Sequence, residues 1–326
     1  MGFVKKVLSI DGGGMKGIVS AIVLKHLEEK LKLYSGNENA RIADYFDLIA
    51  GTSTGAILTA LYLYPTEKGE SKYSAQEILD FYLIHGKGIF KRNFLYPVFD
   101  AKYTNKELKK LLDYYFGTTT IGELRKPCLL TSYDATQRKA VFFNTTSSRK
   151  DARRNYLLAD AILASTAAPT YFPPSCLKIK NQCYNCLIDG GVVDNNPALC
   201  AWIEAMKLPK CDGMNDIMLL SVGNVNDSRS YLYGEVKRWG LISWARPILD
   251  ILMDGSEQIV DYQLKRIYKS INQPQNYYRM QWVVEEEVPS MDDYSNEAIE
   301  KFLACGEKLA MREKYRIDEI AKKLTL

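Results

Sequence analysis

The chain of 326 residues is 47% hydrophobic and 25% charged, and it carries a formal net charge of +4. This composition excludes a disordered or fibrous protein, and the length allows one large α/β domain or two smaller ones. The 43 basic residues nearly balance the 39 acidic ones, so we expect no nucleic-acid polymer as a partner.

Three features of the sequence favour a cytoplasmic protein. Apolar runs stay short of the roughly 18 residues that a membrane-spanning helix needs. The N-terminus, Met1 to Lys6, lacks the apolar stretch and cleavage site of a secretory signal, so we expect none. Seven cysteines, an odd number in a long chain, fit reduced thiols better than a disulfide framework.

The first third of the chain alternates strand and helix patterns. A short apolar run over 6–10 predicts a strand, and apolar positions with helical spacing over 17–33 predict a helix. A second buried strand over 45–50 leads into another helix that ends near 62. Because strand–turn–helix occurs twice, the sequence predicts a parallel sheet with covering helices.

The middle of the chain contains two inserted helices and then more strands. The capping-box spacings Ser74-x-x-Glu77 and Thr104-x-x-Glu107 predict where the inserted helices start. The further predicted elements are a strand pair over 128–133 and 139–143, a helix over 156–165, and strands at 186–188 and 217–222. These segments extend the α/β pattern to about residue 225.

Beyond about residue 229 the pattern is helical to the end, with long stretches over 242–270 and 296–323. The sequence therefore predicts an α/β core over 1–228, whose central sheet is mainly parallel. A helical C-terminal extension over 229–326 is predicted to pack on that core.

A serine follows the second predicted strand in the pattern Gly51-x-Ser53-x-Gly55. A sharp strand-to-helix turn of this kind presents a serine hydroxyl at the carboxyl end of the strand, and small flanking residues relieve its crowding. The following helix directs its amino end to the same place and favours negative charge there. The alternative is a turn that merely connects the strand to the helix.

A glycine-rich loop, Gly12-x-Gly14-x-x-Gly17, follows the first strand with the spacing of a dinucleotide-binding loop. That interpretation needs an acidic residue at the end of the second strand, where the sequence has Ala50-Gly51, and it would put Asp11 beside the pyrophosphate. A nicotinamide-dependent oxidoreductase is therefore disfavoured. The alternative is that Gly13 and Gly14 direct backbone N–H groups toward an oxyanion.

A serine nucleophile needs a base, and the chain has only two histidines, His26 and His85. Neither follows a third catalytic position, as the order Ser…Asp…His of α/β hydrolases requires. The remaining candidate is Asp189 in Asp189-Gly190-Gly191, which ends a predicted strand and can there reach another strand-end group. An ordinary Asp-Gly turn is the alternative.

In combination, these motifs resemble the patatin-like phospholipase family of lipid acyl hydrolases over about residues 5–225. The stretches that carry the resemblance are Asp11-Gly12-Gly13-Gly14-Met15-Lys16-Gly17, Gly51-Thr52-Ser53-Thr54-Gly55, Ala164-Ser165-Thr166-Ala167-Ala168-Pro169 with Phe172-Pro173-Pro174, Asp189-Gly190-Gly191, and Asp194-Asn195-Asn196-Pro197. Many members carry arginine where this chain has Lys16, and lysine lacks the planar fork with which arginine binds an anion.

The resemblance implies a three-layer patatin-like fold and a catalytic dyad in place of a triad. Ser53 would attack the ester carbonyl, Asp189 would accept its proton, and Gly12 to Gly14 would donate N–H groups to the oxyanion. An ordinary aspartate has a pKa near ~3.9, so burial has to raise the pKa of Asp189. Asp11 is expected to be structural and to bond its own turn. No cofactor or metal is implied, and the substrates would be phospholipids or related acyl esters.

Three further features leave alternatives open. The segment Lys237 to Pro247 mixes tryptophan, aliphatic and basic residues, which suits either contact with lipid headgroups or a helix packed on the core. The basic cluster Arg149-Lys150-x-x-Arg153-Arg154 suits a solvated helix start or a small activating anion, since some bacterial patatin-like enzymes respond to cyclic dinucleotides. Cys176, Cys183 and Cys186 lack an evident fourth ligand for zinc.

Overall fold

The computed structural model describes residues 4–90, 100–179, 182–183, 185–228, 231–244 and 247–326. Its strands are β1 Lys5–Ile10, β2 Leu48–Gly51, β3 Cys128–Asp134, β4 Lys139–Asn144, β5 Lys178–Ile179, β6 Gln182–Cys183, β7 Leu187–Asp189, β8 Ile217–Asp227 and β9 Tyr277–Val284. Its helices are α1 Gly17–Ser35, α2 Ile42–Tyr45, α3 Thr54–Leu63, α4 Ala75–Ile89, α5 Lys106–Phe116, α6 Thr145–Lys150, α7 Leu158–Ser165, α8 Ala198–Ala205, α9 Tyr233–Val236, α10 Leu241–Trp244, α11 Pro247–Ser270, α12 Asn296–Arg312 and α13 Lys314–Thr325.

Seven of the described strands form one sheet in the order β4-β3-β2-β1-β8-β9, with β7 also paired to β3. The pairs from β3 through β2, β1 and β8 to β9 are parallel, whereas β4 and β7 run antiparallel to β3. The other two described strands, β5 and β6, form a short antiparallel pair. The prediction of a mainly parallel central sheet is confirmed.

Helices cover both faces of the sheet. Successive side chains of a strand point to opposite faces, so neighbouring residues of β1 pack on different layers of helices. In β1, Leu8 and Ile10 belong to a buried cluster with side chains of α1, α3, α4, α12 and α13. Val7, which precedes Leu8, packs on the opposite face with side chains of α8 and α11. The structure therefore has three layers, helix–sheet–helix, as predicted.

Strands β2 and β7 lie beside β3 with their carboxyl ends toward each other, and this arrangement positions the candidate site. Strand β2 pairs parallel with the first part of β3, Gly51 opposite Leu130, and β7 pairs antiparallel with the second part, Asp189 opposite Ser132. Both lie on the edge of β3 away from β4, since β4 pairs along the whole of β3. The carboxyl ends of β2 and β7 therefore face each other across Thr131.

The C-terminal part of the chain is not entirely helical. The long patterns predicted over 242–270 and 296–323 correspond to α11 and to α12 with α13. The prediction of helix was wrong over Tyr277–Val284, which forms β9 and pairs parallel with β8. This run is rich in aromatic and β-branched residues, which fit a half-buried pleated surface. The proposed division at residue 228 stays a prediction, and it would cut between two paired strands.

The two capping-box predictions have different outcomes. Ser74 caps α4 as predicted: its hydroxyl accepts from the Glu77 N–H, and Glu77 accepts from the Ser74 N–H. Helix α5 instead begins after Asn105, and the Thr104 hydroxyl accepts from the Lys106 N–H at 3.3 Å. The predicted capping box at Thr104 is wrong, because α5 starts one residue later than the spacing Thr104-x-x-Glu107 assumes.

The prediction of reduced thiols was wrong for Cys176, which is disulfide-bonded. Among the cysteines whose side chains the structure describes, Cys128, Cys186, Cys200, Cys211 and Cys305 are free. A cysteine count does not show which two sulfur atoms the fold brings within bonding distance, so the sequence alone could not identify this residue.

Candidate active site

Ser53 lies at a strained turn between β2 and α3. Its backbone has φ 54° and ψ −118°, a positive φ that is unfavourable for a residue with a side chain. The flanking glycines make the turn sterically feasible. A Cβ on Gly51 would lie 2.1 Å from the Gly55 carbonyl oxygen, and a Cβ on Gly55 would lie 2.1 Å from that of Ile10. The predicted serine elbow therefore has a steric basis in both glycines.

The Ser53 hydroxyl donates a hydrogen bond to Asp189 Oδ2 at 2.6 Å. The other carboxylate oxygen, Oδ1, accepts from the Gly191 N–H at 2.7 Å. Backbone bonds hold both residues: the Ser53 N–H donates to Ser165 Oγ at 3.0 Å, and the Asp189 N–H donates to the Ala167 carbonyl at 3.0 Å. The segment 164–169, which the sequence singled out, thus supports both members of the pair.

Asp189 is only 3% exposed, and Ser53 is 8% exposed. Burial raises the pKa of Asp189 to about 7, and the hydrogen bonds from Ser53 and the Gly191 N–H lower it in part. A carboxylate with this pKa is matched to accept a proton near neutral pH, which an ordinary aspartate is not.

The two histidines have partners elsewhere. His26 Nε2 lies 2.8 Å from Glu307 Oε2, and His85 Nε2 lies 2.9 Å from the Tyr115 hydroxyl. Asp189 occupies the place at Ser53 Oγ that an imidazole would take in a triad.

The glycine loop lies directly beside Ser53. A Cβ on Gly12 would lie 3.3 Å from Ser53 Cβ, and Gly13 and Gly14 have φ 151° and 57°, which favour glycine. The Gly12 N–H donates to the Asn195 carbonyl at 3.0 Å. Among the described residues, no acceptor bonds the N–H groups of Gly13 and Gly14. Of the three predicted oxyanion donors, Gly13 and Gly14 therefore have N–H groups that no other acceptor in the described structure occupies.

Asp11 pairs with a residue that sequence reasoning missed. Both carboxylate oxygens of Asp11 accept from the guanidinium of Arg279 on β9, at 2.9 and 2.5 Å, and both side chains are buried. Burial raises the pKa of Asp11 to about 6, and Arg279 lowers it in part. The expectation that Asp11 bonds its own turn was wrong, because its carboxylate pairs with Arg279 of β9, which reaches it across the intervening strand β8.

The other residues of the motifs make close contacts around the dyad. Lys16 Nζ donates to Asn226 Oδ1 at 3.2 Å. A Cβ on Gly17 would lie 2.5 Å from Thr54 Oγ1, and one on Gly190 would lie 2.1 Å from Thr131 Oγ1. Gly17 therefore allows the loop to pack against the elbow, and Gly190 allows the Asp189 turn to pack against β3.

Two adjoining cavities meet at this site. The first contains Ser53 and Asp189, and apolar side chains dominate its wall, among them Ile57, Ile89, Phe90, Leu108, Tyr171 and Phe172. The second is a polar cleft of about 690 Å³ whose wall includes Gly12, Gly13, Lys16, Asn195, Asn224 and Glu257. Met253 and Met291 line both cavities. The glycine loop therefore separates an apolar side from a polar one.

The predicted basic cluster is largely engaged in local contacts. Arg149 donates to the carbonyls of Gly122 and Leu124, and Arg153 donates to Asp151. In the cysteine group, the disulfide-bonded Cys176 is not a thiolate ligand, and the Cys183 side chain lies outside the described part of the structure. Within the described residues, no cluster of histidine, cysteine and carboxylate side chains is arranged to hold a metal ion.

Comparisons with known proteins agree with these motifs. Residues 8–202 match the family model described as patatin-like phospholipase. "Patatin-like protein 2" of Oryza sativa subsp. indica is 32% identical over 96% of this chain and 85% of its own length. "Probable inactive patatin-3-Kuras 1" of Solanum tuberosum is also 32% identical, over 86% of this chain and 79% of its own. A relative that is named as inactive is therefore as similar in sequence to this chain as one that is not.

A solved structure, VipD from Legionella pneumophila, aligns with this chain at a TM-score of 0.48 and 13% sequence identity. The alignment covers 95% of this chain and 66% of VipD.

Proposed function

Because the chain belongs to the patatin-like phospholipase family, we propose that it is a lipid acyl hydrolase that cleaves phospholipids or related acyl esters through a serine acyl-enzyme. The observation that carries the proposal is the 2.6 Å hydrogen bond from Ser53 Oγ to Asp189 Oδ2 beside an apolar cavity. This contact supplies the nucleophile and the base that acyl transfer needs.

In the acylation step, Ser53 Oγ attacks the ester carbonyl carbon while its proton passes to Asp189 Oδ2. The negative charge that develops on the carbonyl oxygen is stabilised by the N–H groups of Gly13 and Gly14. The carbon–oxygen bond to the alcohol then breaks, and the leaving alkoxide takes the proton from Asp189. The products are the free alcohol and an ester between the acyl group and Ser53.

In the deacylation step, a water molecule attacks the acyl-enzyme and gives its proton to Asp189. The same oxyanion donors act again, and the proton returns from Asp189 to Ser53 Oγ as the fatty acid leaves. Asp189 is suited to both steps, since a pKa of about 7 lets it accept and release a proton at neutral pH.

The two cavities support an assignment of the parts of the substrate. The apolar cavity at Ser53 and Phe172 suits the acyl chain, and the polar cleft at Lys16 and Asn195 suits the alcohol and its headgroup. Within this proposal, the ester lies at the glycine loop, where the cavities meet.

An exposed apolar stripe on α11 supports contact with a lipid surface. Its members are spaced as on one helical face, and each is at least one third exposed: Ile248, Ile251, Leu252, Ile259 and Tyr262. The opposite face, with Val260 and Leu264, packs on the core. Pro247 and Met253 line the polar cleft from the face of α11 opposite the stripe, so the helix itself would lie between a lipid surface on the stripe and the cleft.

The segment Lys237 to Pro247 lies next to this stripe. The rings of Trp239 and Trp244 contact each other edge to face, with centroids 5.2 Å apart, and Trp239 lines the cleft. Positions 245 and 246 lie outside the described residues. No described helix combines the length and apolar character needed to cross a membrane. Peripheral contact through α11 is therefore the form of membrane binding that we propose.

The test of the proposed function is covalent labelling of the purified protein with a fluorophosphonate, mapped by mass spectrometry, together with acyl release from a panel of lipids. We expect labelling at Ser53, and Ser53→Ala to lose acyl release roughly 10⁴-fold or more. His26→Asn and His85→Asn are the controls and should keep the wild-type rate. Full activity in Ser53→Ala would refute the assignment.

The predicted gating by a small ligand and the cytoplasmic location stay predictions. Gating is tested by measuring acyl release with and without cyclic dinucleotides. A rate that does not change would leave a constitutive hydrolase.

A further inference from the structure

The peptide between Gly12 and Gly13 is held by hydrogen bonds from outside its own loop. Asn224 Nδ2 donates to the Gly12 carbonyl oxygen at 2.7 Å. The N–H of Gly12 donates to the Asn195 carbonyl, so both sides of this glycine are fixed. The C=O and N–H of a trans peptide point in opposite directions. A donor that fixes the Gly12 carbonyl therefore also fixes the direction of the Gly13 N–H.

Asn224 reaches the loop because β8 is irregular at this point. The pairing of β8 with β9 shifts register between Val222 and Val225, and Asn224 lies inside the shift. Bulges of this kind redirect side chains and are common beside active sites. Asn224 is 2% exposed, and its Nδ2 would lie 2.5 Å from a Cβ on Gly13. The side chain thus packs directly against the loop.

The hydrogen bonding of Asn224 is one-sided. Its Nδ2 bonds the Gly12 carbonyl, whereas its Oδ1 is buried without a hydrogen-bond partner in the described structure. An unpaired buried acceptor is unfavourable, and an aliphatic side chain of similar size would avoid it. The donor to Gly12 is the interaction that explains an amide at this position.

We propose that Asn224 is a positioning residue for acyl transfer, whose hydrogen bond to the Gly12 carbonyl aims the Gly13 N–H at the oxyanion formed on Ser53. This inference rests on the proposed function. It also gives Gly12 a separate role: its N–H is occupied by Asn195, and its carbonyl is the point at which the loop is held. Asn224 itself does not touch the reacting atoms.

The variant Asn224→Leu removes the donor at similar volume, and Asn224→Asp keeps the shape while replacing the donor by an acceptor. We expect kcat for a soluble ester to fall on the order of 10²-fold in both, since a small displacement of a catalytic group has an effect of this size. KM should stay within about twofold of wild type, as expected when an interaction of the transition state is lost. Asn155→Leu, which removes an amide that bonds the Gly122 N–H away from the site, is the matched control.

Two inhibitors separate positioning from general damage. A trifluoromethyl ketone forms a tetrahedral oxyanion on Ser53, and its affinity should fall by the same factor as kcat. An ether analogue of the lipid forms no oxyanion, and its affinity should stay unchanged. Wild-type kcat in Asn224→Leu, or an equal loss of affinity for both inhibitors, would overturn the proposal.

If the variants fail to fold, the amide proton shifts of the wild-type protein test the proposal. With glycine labelled in its amide nitrogen, the Gly13 amide proton should move downfield when the trifluoromethyl ketone binds, and that of Gly12 should not. An unmoved Gly13 proton would overturn the positioning role. If wild-type protein neither hydrolyses esters nor reacts with a fluorophosphonate at Ser53, it is the proposed function that fails.

Discussion

Asp189→Asn should make the protein more stable at neutral pH while it removes activity. In the folded protein burial raises the pKa of Asp189 to about 7, whereas in the unfolded chain the carboxyl titrates near its ordinary value. Between these two values the folded state binds more protons than the unfolded state. The free energy of unfolding therefore falls as the pH rises from about 4 to about 7. Asparagine at this position does not titrate and removes that dependence.

The size of the effect follows from the two pKa values. The difference between about 7 and the ordinary 3.8 corresponds to about 4 kcal/mol at pH 8 as an upper limit. At pH 5 the same reasoning gives between about 1 and 2 kcal/mol, because the difference accumulates between the two pKa values and pH 5 lies in the first half of that interval. Lost hydrogen bonds to Ser53 and Gly191 will reduce the observed gain at every pH.

The assay is urea unfolding of wild type and Asp189→Asn between pH 4 and pH 8, followed by tryptophan fluorescence. Comparison of the two proteins cancels the titration of other buried carboxyls, of which Asp11 and Asp194 have pKa values raised to about 6 by burial. The advantage of the variant should grow with pH and level off above about 7. If the two curves run parallel, Asp189 is not held neutral by burial, and its role as a base near pH 7 loses its support.

Three further predictions concern the pH profile, the buried ion pair and the lipid-binding stripe. Wild-type kcat/KM for a soluble ester should fall about tenfold per pH unit below about 7, since Asp189 must be ionised to act; a constant rate down to pH 5 would contradict this. Arg279→Met should lower the free energy of unfolding by about 3–5 kcal/mol in urea titrations, because it leaves the buried Asp11 unpaired; the double variant with Asp11→Asn should recover much of the loss. Ile251→Asp should weaken co-sedimentation with phospholipid vesicles about tenfold without changing soluble-ester hydrolysis. Tyr315→Asp on α13, where the side chain is 78% exposed against 37% for Ile251, should bind vesicles like wild type.

The parts of the fold that sequence could predict are those with local signals. The elbow at Ser53, the glycine loop after β1 and the strand before Asp189 each show in a few consecutive residues. The meeting of Ser53 and Asp189 was expected from parallel strands that end at one edge. The structure reaches it differently: β7 is antiparallel to β3, and its end faces the end of β2.

The parts that were missed depend on contacts far apart in sequence. Arg279 and Asp11 are 268 positions apart, and no local pattern joins them. A signal for β9 did exist, because Tyr277–Val284 has the aromatic and β-branched content of a strand. Arg279 stands within that run, where a buried charge requires a partner. The bulge that directs Asn224 to the loop has no comparable signal, since it arises from pairing between β8 and β9.

The absence of an imidazole at Ser53 has a physical explanation in the burial of Asp189. Histidine serves as a base near neutral pH because its ordinary pKa is about 6.5. Burial at the junction of β2 and β7 brings the pKa of Asp189 to about 7, which is close to that value. The same burial makes the ionised carboxylate unfavourable in the folded state. Activity at neutral pH and maximal stability therefore place opposite demands on this residue, and the asparagine variant tests both.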